Sequence, residues 1–281
     1  MFNKLKRQAA ISFCATISCA AMAQATTLEF TVTNTAAPGG FAFSPMYLAF
    51  HDGSFDAFDA GTAASPGLET IAETGFANVL NQERVTADPD SDRLFVLGPD
   101  FPPRPVFVPG ESVTTQFDVD GAVNRFLSYF SMLTPTNDTF MGNDDPLAIA
   151  LFDDLGIFQG DRVITISRAD MWDAGTEVND TSPTGGSADL DGAITAEGAA
   201  ENGVIHAIED LSDFAGKLTG FAGFDGNQYL ISDGILNDPD RFVGATISIR
   251  QVPAVPLPAT GLLGLTGLAL LGGLRRMRRK S

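Results

Sequence analysis

The chain is 281 residues long, 44% hydrophobic, and carries 17 Lys+Arg against 35 Asp+Glu, a formal charge of −18. Three basic residues in Met1 to Ala25 and five in Thr260 to Ser281, with no acid in either stretch, leave nine Lys+Arg against all 35 acids in between, a charge of −26. A body that acidic repels phosphate backbones and anionic lipid, which excludes nucleic-acid binding, and the apolar content excludes wholesale disorder.

In chain order, Met1 to Arg7 is a basic n-region and Ala9 to Ala21 an apolar h-region. Ala21-Met22-Ala23 or Ala23-Gln24-Ala25 then supplies the small-x-small pattern of a secretory cleavage site, and the alternative is a buried N-terminal helix. Both cysteines, Cys14 and Cys19, fall within this segment, so a processed chain holds no disulfide, thiol nucleophile or thiolate ligand. From Thr26 to Ala254 the pattern is that of strands. Leu28, Phe30 and Val32 alternate with Thr27, Glu29, Thr31 and Thr33, which places the apolar set on one face. Ser65 to Glu73 reads as one short helix, with Ser65 as N-cap and Pro66 at the first helical position. Further stripes follow at Val113, Thr115, Phe117 and Val119, and at Phe126, Ser128, Phe130 and Met132. Arg162 to Ser167 repeats the alternation, as does Phe242 to Ile249, with Val243, Ala245, Ile247 and Ile249 on one side. Clusters of Gly, Pro, Asn and Asp punctuate these strands at Ala36 to Gly40, Asp88 to Asp92, Gly98 to Pro105, Asn143 to Pro146 and Ser182 to Gly186. Many short strands with few helices predict an all-β antiparallel sandwich with one or two short helices, its core packed with the 22 phenylalanines. The expected division is 1–25 signal, 26–254 sandwich and 255–281 tail.

The tail reads Val255-Pro256-Leu257-Pro258-Ala259, then an apolar run to Leu274 with glycines at 261, 264, 267, 272 and 273, then Arg275 to Lys280. Leu257 to Leu274 is barely long enough to cross a hydrocarbon core, and its basic end would stay on the cytoplasmic side. Motif, apolar run and basic end resemble the PEP-CTERM family of bacterial sorting signals in its Val-Pro-Leu-Pro-Ala variant. The resemblance implies processing by an exosortase-type transpeptidase and delivery of the body to the cell surface or extracellular matrix; the alternative is a retained single-span anchor.

Chemically, the body is notable for what it lacks. It has two histidines, His51 and His206, and no HExxH, GxSxG, P-loop or GxGxxG sequence. His51 reads as a hydrogen-bonded residue at a strand end. Carboxylates in loops are plentiful, and hard oxygen ligands suit calcium. Asp88-Pro89-Asp90-Ser91-Asp92 begins like an EF-hand loop, but Arg93 stands where the turn glycine belongs and Pro99 where the bidentate acid belongs, so it reads as a solvated acidic loop. Asn143-Asp144-Asp145 and Asp189-Leu190-Asp191-Gly192 read as plain turns. In Trp172-Asp173-Ala174-Gly175-Thr176-Glu177, an extended strand would hold Asp173 and Glu177 about 13 Å apart, too far to share an ion. A fold-back at Ala174-Gly175 would bring the two carboxylates to one centre, with another loop contributing the oxygens they cannot supply.

The body also resembles the spondin N-terminal domain of F-spondin and mindin. The stretches that carry the resemblance are Phe43-Ser44-Pro45 with His51, Ala64-Ser65-Pro66-Gly67-Leu68 with Ala72-Glu73-Thr74-Gly75, Ser131 to Asp138 with Gly142, and Trp172 to Glu177. They span Leu28 to about Pro183, and Ala188 to Asp240 is not aligned. The resemblance implies a C2-like antiparallel β-sandwich holding a calcium ion at one end, with Asp138, Asp173 and Glu177 as ligands; Glu177 stands where the family usually has Asp. It implies an adhesive, non-enzymatic surface or matrix protein whose ligand is an extracellular polymer or a neighbouring cell. The alternative function is an exported hydrolase using an acid pair near His51 or within Ala188 to Asp240.

Overall fold

The computed structural model describes residues 25–253 apart from 183–184, 187–189, 191–197, 209 and 221–227. The signal segment up to residue 24 and the tail from residue 254 therefore lie outside the described residues. Among the described residues no helix is long and apolar enough to cross a membrane.

The strands in chain order are β1 (Thr26–Asn34), β2 (Ala42–Phe43), β3 (Met46–His51), β4 (Asp92–Val96), β5 (Ser112–Val119), β6 (Phe126–Thr134), β7 (Thr139–Gly142), β8 (Arg162–Ile166), β9 (Met171–Asp173), β10 (His206–Ala207), β11 (Leu218–Gly220), β12 (Gln228–Leu230) and β13 (Ala245–Gln251). Helices α1 (Pro66–Thr74) and α2 (Asn78–Ala87) lie between β3 and β4. One sheet has the order β5-β1-β13-β8; the other runs β10-β9-β7-β6-β3-β4, with β2 also paired to β6, and every pairing in both is antiparallel. The fold is the expected all-β antiparallel sandwich with two short helices.

Alternation builds the first sheet. Leu28, Phe30 and Val32 of β1 and Ala245, Ile247 and Ile249 of β13 are fully buried, while Thr27, Glu29, Thr31 and Thr33 face outward beside Ser112, Thr114, Gln116 and Asp118. The inward set packs against Leu48, Phe50, Leu127, Tyr129, Met141 and Met171 of the second sheet in one apolar cluster. Phe50 joins the two sheets, edge-on to Phe30 at 5.5 Å and stacked on Phe117 at 5.3 Å between ring centroids. Strand β13 begins at Ala245 rather than Phe242, because Pro239–Phe242 closes a 3-10 turn first.

The second sheet departs from the one-faced expectation. Helix α1 lays Leu68, Ile71 and Ala72 on its outer face, against Tyr47, Ala49, Phe130 and Phe140. Strand β6 is consequently buried on both sides: Leu127, Tyr129 and Leu133 face the first sheet, and Phe130 faces the helix. Helix α1 starts as its sequence dictates, with the Ser65 hydroxyl accepting the Leu68 N–H at 3.1 Å, and ends at Gly75 in the left-handed region, φ 72°. Helix α2 lacks such signals: its N-cap is Ala77, without a side-chain bond, and it buries only Leu80 and Arg84.

Candidate metal centre

Strand register sets the centre. Hairpin β6–β7 turns through Pro135 to Asp138, and β7 pairs with β9 so that Thr139 faces Asp173. Asp138 therefore sits opposite Ala174, whose N–H donates to the Asp138 carbonyl at 3.2 Å. Trp172 holds β9 in place through its indole N–H, 3.0 Å from the Gly142 carbonyl, and through an edge contact with Phe58 at 5.4 Å. After Asp173 the chain turns at Gly175, φ 66°, where a Cβ would lie 2.6 Å from the Val204 carbonyl oxygen. That close approach to backbone is why glycine stands there.

The turn delivers backbone rather than carboxylate to Asp138. Asp138 Oδ2 accepts the N–H groups of Thr176 at 2.9 Å and Glu177 at 3.0 Å, and the Thr176 hydroxyl at 3.2 Å. Asp138 Oδ1 is buried and receives no donor. Burial pushes the Asp138 carboxyl up to about 7, the nearby Asp173 charge adds to that rise, and the three donors oppose it. Asp173 is 1% exposed; its Oδ1 accepts the Gly175 N–H at 2.8 Å and its Oδ2 the Asn179 amide at 2.7 Å. Glu177 is also buried, but its Oε1 accepts the Gly198 N–H at 2.6 Å. The structure thus brings Asp138 and Asp173 together and turns the Glu177 carboxylate to a different partner. Among the described residues no three His, Cys, Asp or Glu side chains gather closely enough to hold a metal ion.

Several contributors come from sequence too distant for any spacing argument. His206 of β10 pairs across from Asp173, with Nε2 3.8 Å from Asp173 Oδ1. A cavity of about 240 Å³ opens beside Asp173, lined by Asn137, Asn179, Asp180, Asp210 and Asp213, with Ile208, Leu211 and Phe214 as its apolar wall. Asp180 and Asp210 are held below the usual carboxylate range by N–H and O–H donors from Ser182 and Ser212, so both are ionised at neutral pH. A wider groove of about 640 Å³ runs past Thr35, Pro38, Arg168 and Arg241, and none of the three candidate carboxylates lines it.

The candidates at Asp88 to Asp92 and Asn143 to Asp145 are held by turn hydrogen bonds. Asp88 is buried rather than solvated, accepting the N–H groups of Asp52 at 2.9 Å and Asp90 at 3.1 Å, while Asp90 is exposed. Asn143 accepts the Tyr129 N–H, Asp144 the Ala60 N–H and Asp145 the Leu147 N–H. Asp189 and Asp191 lie outside the described residues. His51 ends β3 fully buried, with Nδ1 accepting the Gly53 N–H at 3.1 Å; its Nε2 therefore carries the proton and donates to Ser128 Oγ at 3.0 Å. Burial lowers the ring to about 4. In that tautomer His51 has no free nitrogen to take a proton from Ser128, as a general base must.

A calcium ion suits this chemistry in two respects: a buried carboxylate oxygen without a donor, and a second carboxylate beside it with neutral oxygens nearby. Compared with known families, residues 30–188, more than half of the chain, match the family described as Spondin_N. No curated protein matches the chain.

Proposed function

The chain belongs to the spondin N-terminal domain family, and from that premise we propose that it is an exported, calcium-binding β-sandwich protein with an adhesive, non-enzymatic role at the cell surface or in the extracellular matrix. The observation that carries the calcium reading is Asp138: a fully buried carboxylate whose Oδ1 meets no donor, with Asp173 beside it. Asp138 and Asp173 would hold the ion, which supplies positive charge where two buried acids repel each other. The chain's own part is to present those oxygens from two strands in fixed register and to exclude water from them. Extracellular modules bind calcium with Kd of about 10⁻⁴–10⁻³ M, so the ion would be structural, stiffening this end of the sandwich.

The strand directions suit display from a C-terminal tether. Gln251 of β13 pairs with Leu28 near the chain's entry into the domain, whereas Ala245 pairs with Asn34 at the opposite end. Thr134, whose hairpin leads to Asp138, lies at that opposite end: it pairs with Ala42, and the Asn34 amide donates to the neighbouring Phe41 carbonyl. Seven residues of β13 put the exit roughly 20 Å from the Asp138 end. A body tethered through 255–281, before or after exosortase-type processing, would therefore hold Asp138 and Asp173 away from the membrane. The buried, proton-donating His51 disfavours a hydrolase built on a Ser128–His51 pair.

Calorimetric titration of calcium into chelator-treated protein, with a thermal melt at each end point, tests the proposal. One saturable site is expected, weakened at least roughly tenfold in Asp173→Asn and unchanged in Asp90→Asn. Equal losses in both variants would mean diffuse counterion binding, and no heat at millimolar calcium would remove the site altogether.

A further inference from the structure

We propose that Glu177 is a latch rather than an ion ligand, and that the side-chain amide oxygens of Asn137 and Asn179 complete the Asp138–Asp173 site in its place. This rests on the calcium reading above and concerns only which oxygens serve it.

Glu177 is committed elsewhere. Its Oε1 takes the Gly198 N–H at 2.6 Å, and its Oε2 lies where a side chain at Gly198 would begin, 2.6 Å from the position of a Cβ. Gly186 crowds the same oxygen. Around this contact the strap from Gly198 to Gly203 is bound to the Gly175–Val178 turn: Val178 N–H to the Ala199 carbonyl at 2.7 Å, Glu201 N–H to Thr176 at 2.9 Å, and Gly203 N–H to Gly175 at 2.7 Å. The Glu177 carboxylate fastens the strap to the turn, and it is the Glu177 backbone N–H that reaches Asp138.

Asn137 and Asn179 are arranged the opposite way. Asn137, 2% exposed, spends its Nδ2 on the carbonyls of Val178 at 3.2 Å and Glu177 at 3.4 Å. Asn179 spends its Nδ2 on Asp173 Oδ2 at 2.7 Å. An amide whose nitrogen is occupied by acceptors offers its oxygen as the remaining group, and among the described residues no donor reaches either Oδ1. Both residues line the cavity that Asp173 lines. Amide oxygens are ordinary calcium ligands, and affinity falls as ligand charge falls. Two carboxylates with two amides match the charge of one divalent ion and suit a weak site in calcium-rich surroundings.

The test uses the full chain, with calcium affinity from calorimetry and europium(III) as a luminescent stand-in whose excited-state lifetime counts bound waters. In Glu177→Gln, which can still accept the Gly198 N–H, affinity stays within about twofold and the water count is unchanged. Asn137→Ala and Asn179→Ala each weaken binding about fivefold or more and admit one further water, as removal of one oxygen ligand requires. Circular dichroism melts confirm that each variant is folded. A loss of about tenfold in Glu177→Gln, with or without an added water since the amide keeps one oxygen, would make Glu177 a ligand and overturn the inference, as would unchanged water counts in both Asn variants. If the wild-type chain binds neither ion, the calcium reading itself falls; if binding depends on Asp173 but not on either Asn, only the ligand assignment falls.

Discussion

Replacing Asp138 by Asn in the calcium-free protein tests whether the candidate centre is built at a cost that a cation relieves. Burial and the neighbouring Asp173 raise the Asp138 carboxyl from 3.8 to about 7. A carboxyl whose folded value is raised makes the folded state the tighter proton binder. Its favourable contribution is complete below about pH 4 and is lost as pH climbs from there through 7. The interval of roughly three units corresponds to about 4 kcal/mol, nearly all of it spent by pH 7.5. Asn is uncharged at every pH, has nearly the same shape as the protonated acid, and still offers an oxygen to the Thr176 and Glu177 donors. In chelator, then, Asp138→Asn is expected to match wild type at pH 4 and to exceed it by about 3 kcal/mol at pH 7.5. For a domain of this size that is roughly 6–12 °C in Tm. Paired thermal melts at the two pH values measure the difference, and because His51 titrates identically in both proteins its contribution cancels. Calcium at about a hundredfold excess over Kd should then largely close the gap, stabilising wild type by about 3 kcal/mol and the variant, which keeps one neutral oxygen, much less. A pH-independent difference, or a variant less stable than wild type at pH 7.5 without calcium, would show that the local donors already compensate the Asp138 charge and would refute the argument.

His51 is expected to dominate acid sensitivity: burial lowers it from 6.5 to about 4, so its contribution is present above pH 6.5 and lost as pH falls toward 4, about 3 kcal/mol that His51→Gln should abolish in urea titrations at the two pH values. Gly175→Ala should destabilise the fold by about 2–4 kcal/mol, since the new Cβ meets Val204 backbone at 2.6 Å and the residue is held at φ 66°. Gly61→Ala, at φ 87° with open space around it, should cost only about 1 kcal/mol in the same chemical denaturation assay. A chain ending at residue 188 should show no cooperative melt by circular dichroism. It would lack β13, which lies between β1 and β8, and so would leave two inward-facing strand edges without a partner.

Local alternation was a sufficient guide to the first sheet. Each of its strands buries one face and wets the other, so the period-two pattern of Leu28 to Thr33 and of Ala245 to Arg250 states the fold directly. The same logic fell short for β6, because a strand covered on both faces loses alternation, and whether helix α1 covers the second face is a tertiary matter. Helix α1 was legible from Ser65 and Pro66, whereas α2 had neither a polar cap nor a wide apolar stripe to declare it. At the candidate centre, Gly175 signalled a fold-back, and a fold-back is what the chain makes.

What that turn carries inward could not be read from spacing. In sequence, Asp173 and Glu177 look like equivalent acids four residues apart; in the fold, one faces Asp138 and the other is taken by Gly198, twenty-one residues further on. Asn137 and His206 acquired their places the same way, through pairing between segments that sequence keeps apart, whereas Asn179 reaches Asp173 from six residues on, within the same turn. The sequence by itself determined which faces are apolar, where turns fall and that the body is an acidic sandwich, since these follow from side-chain type and backbone period within a few residues. Only the tertiary structure decided which carboxylate oxygen is left without a donor and which are satisfied, because a hydrogen-bond account closes only when every strand and loop that passes the site is in place.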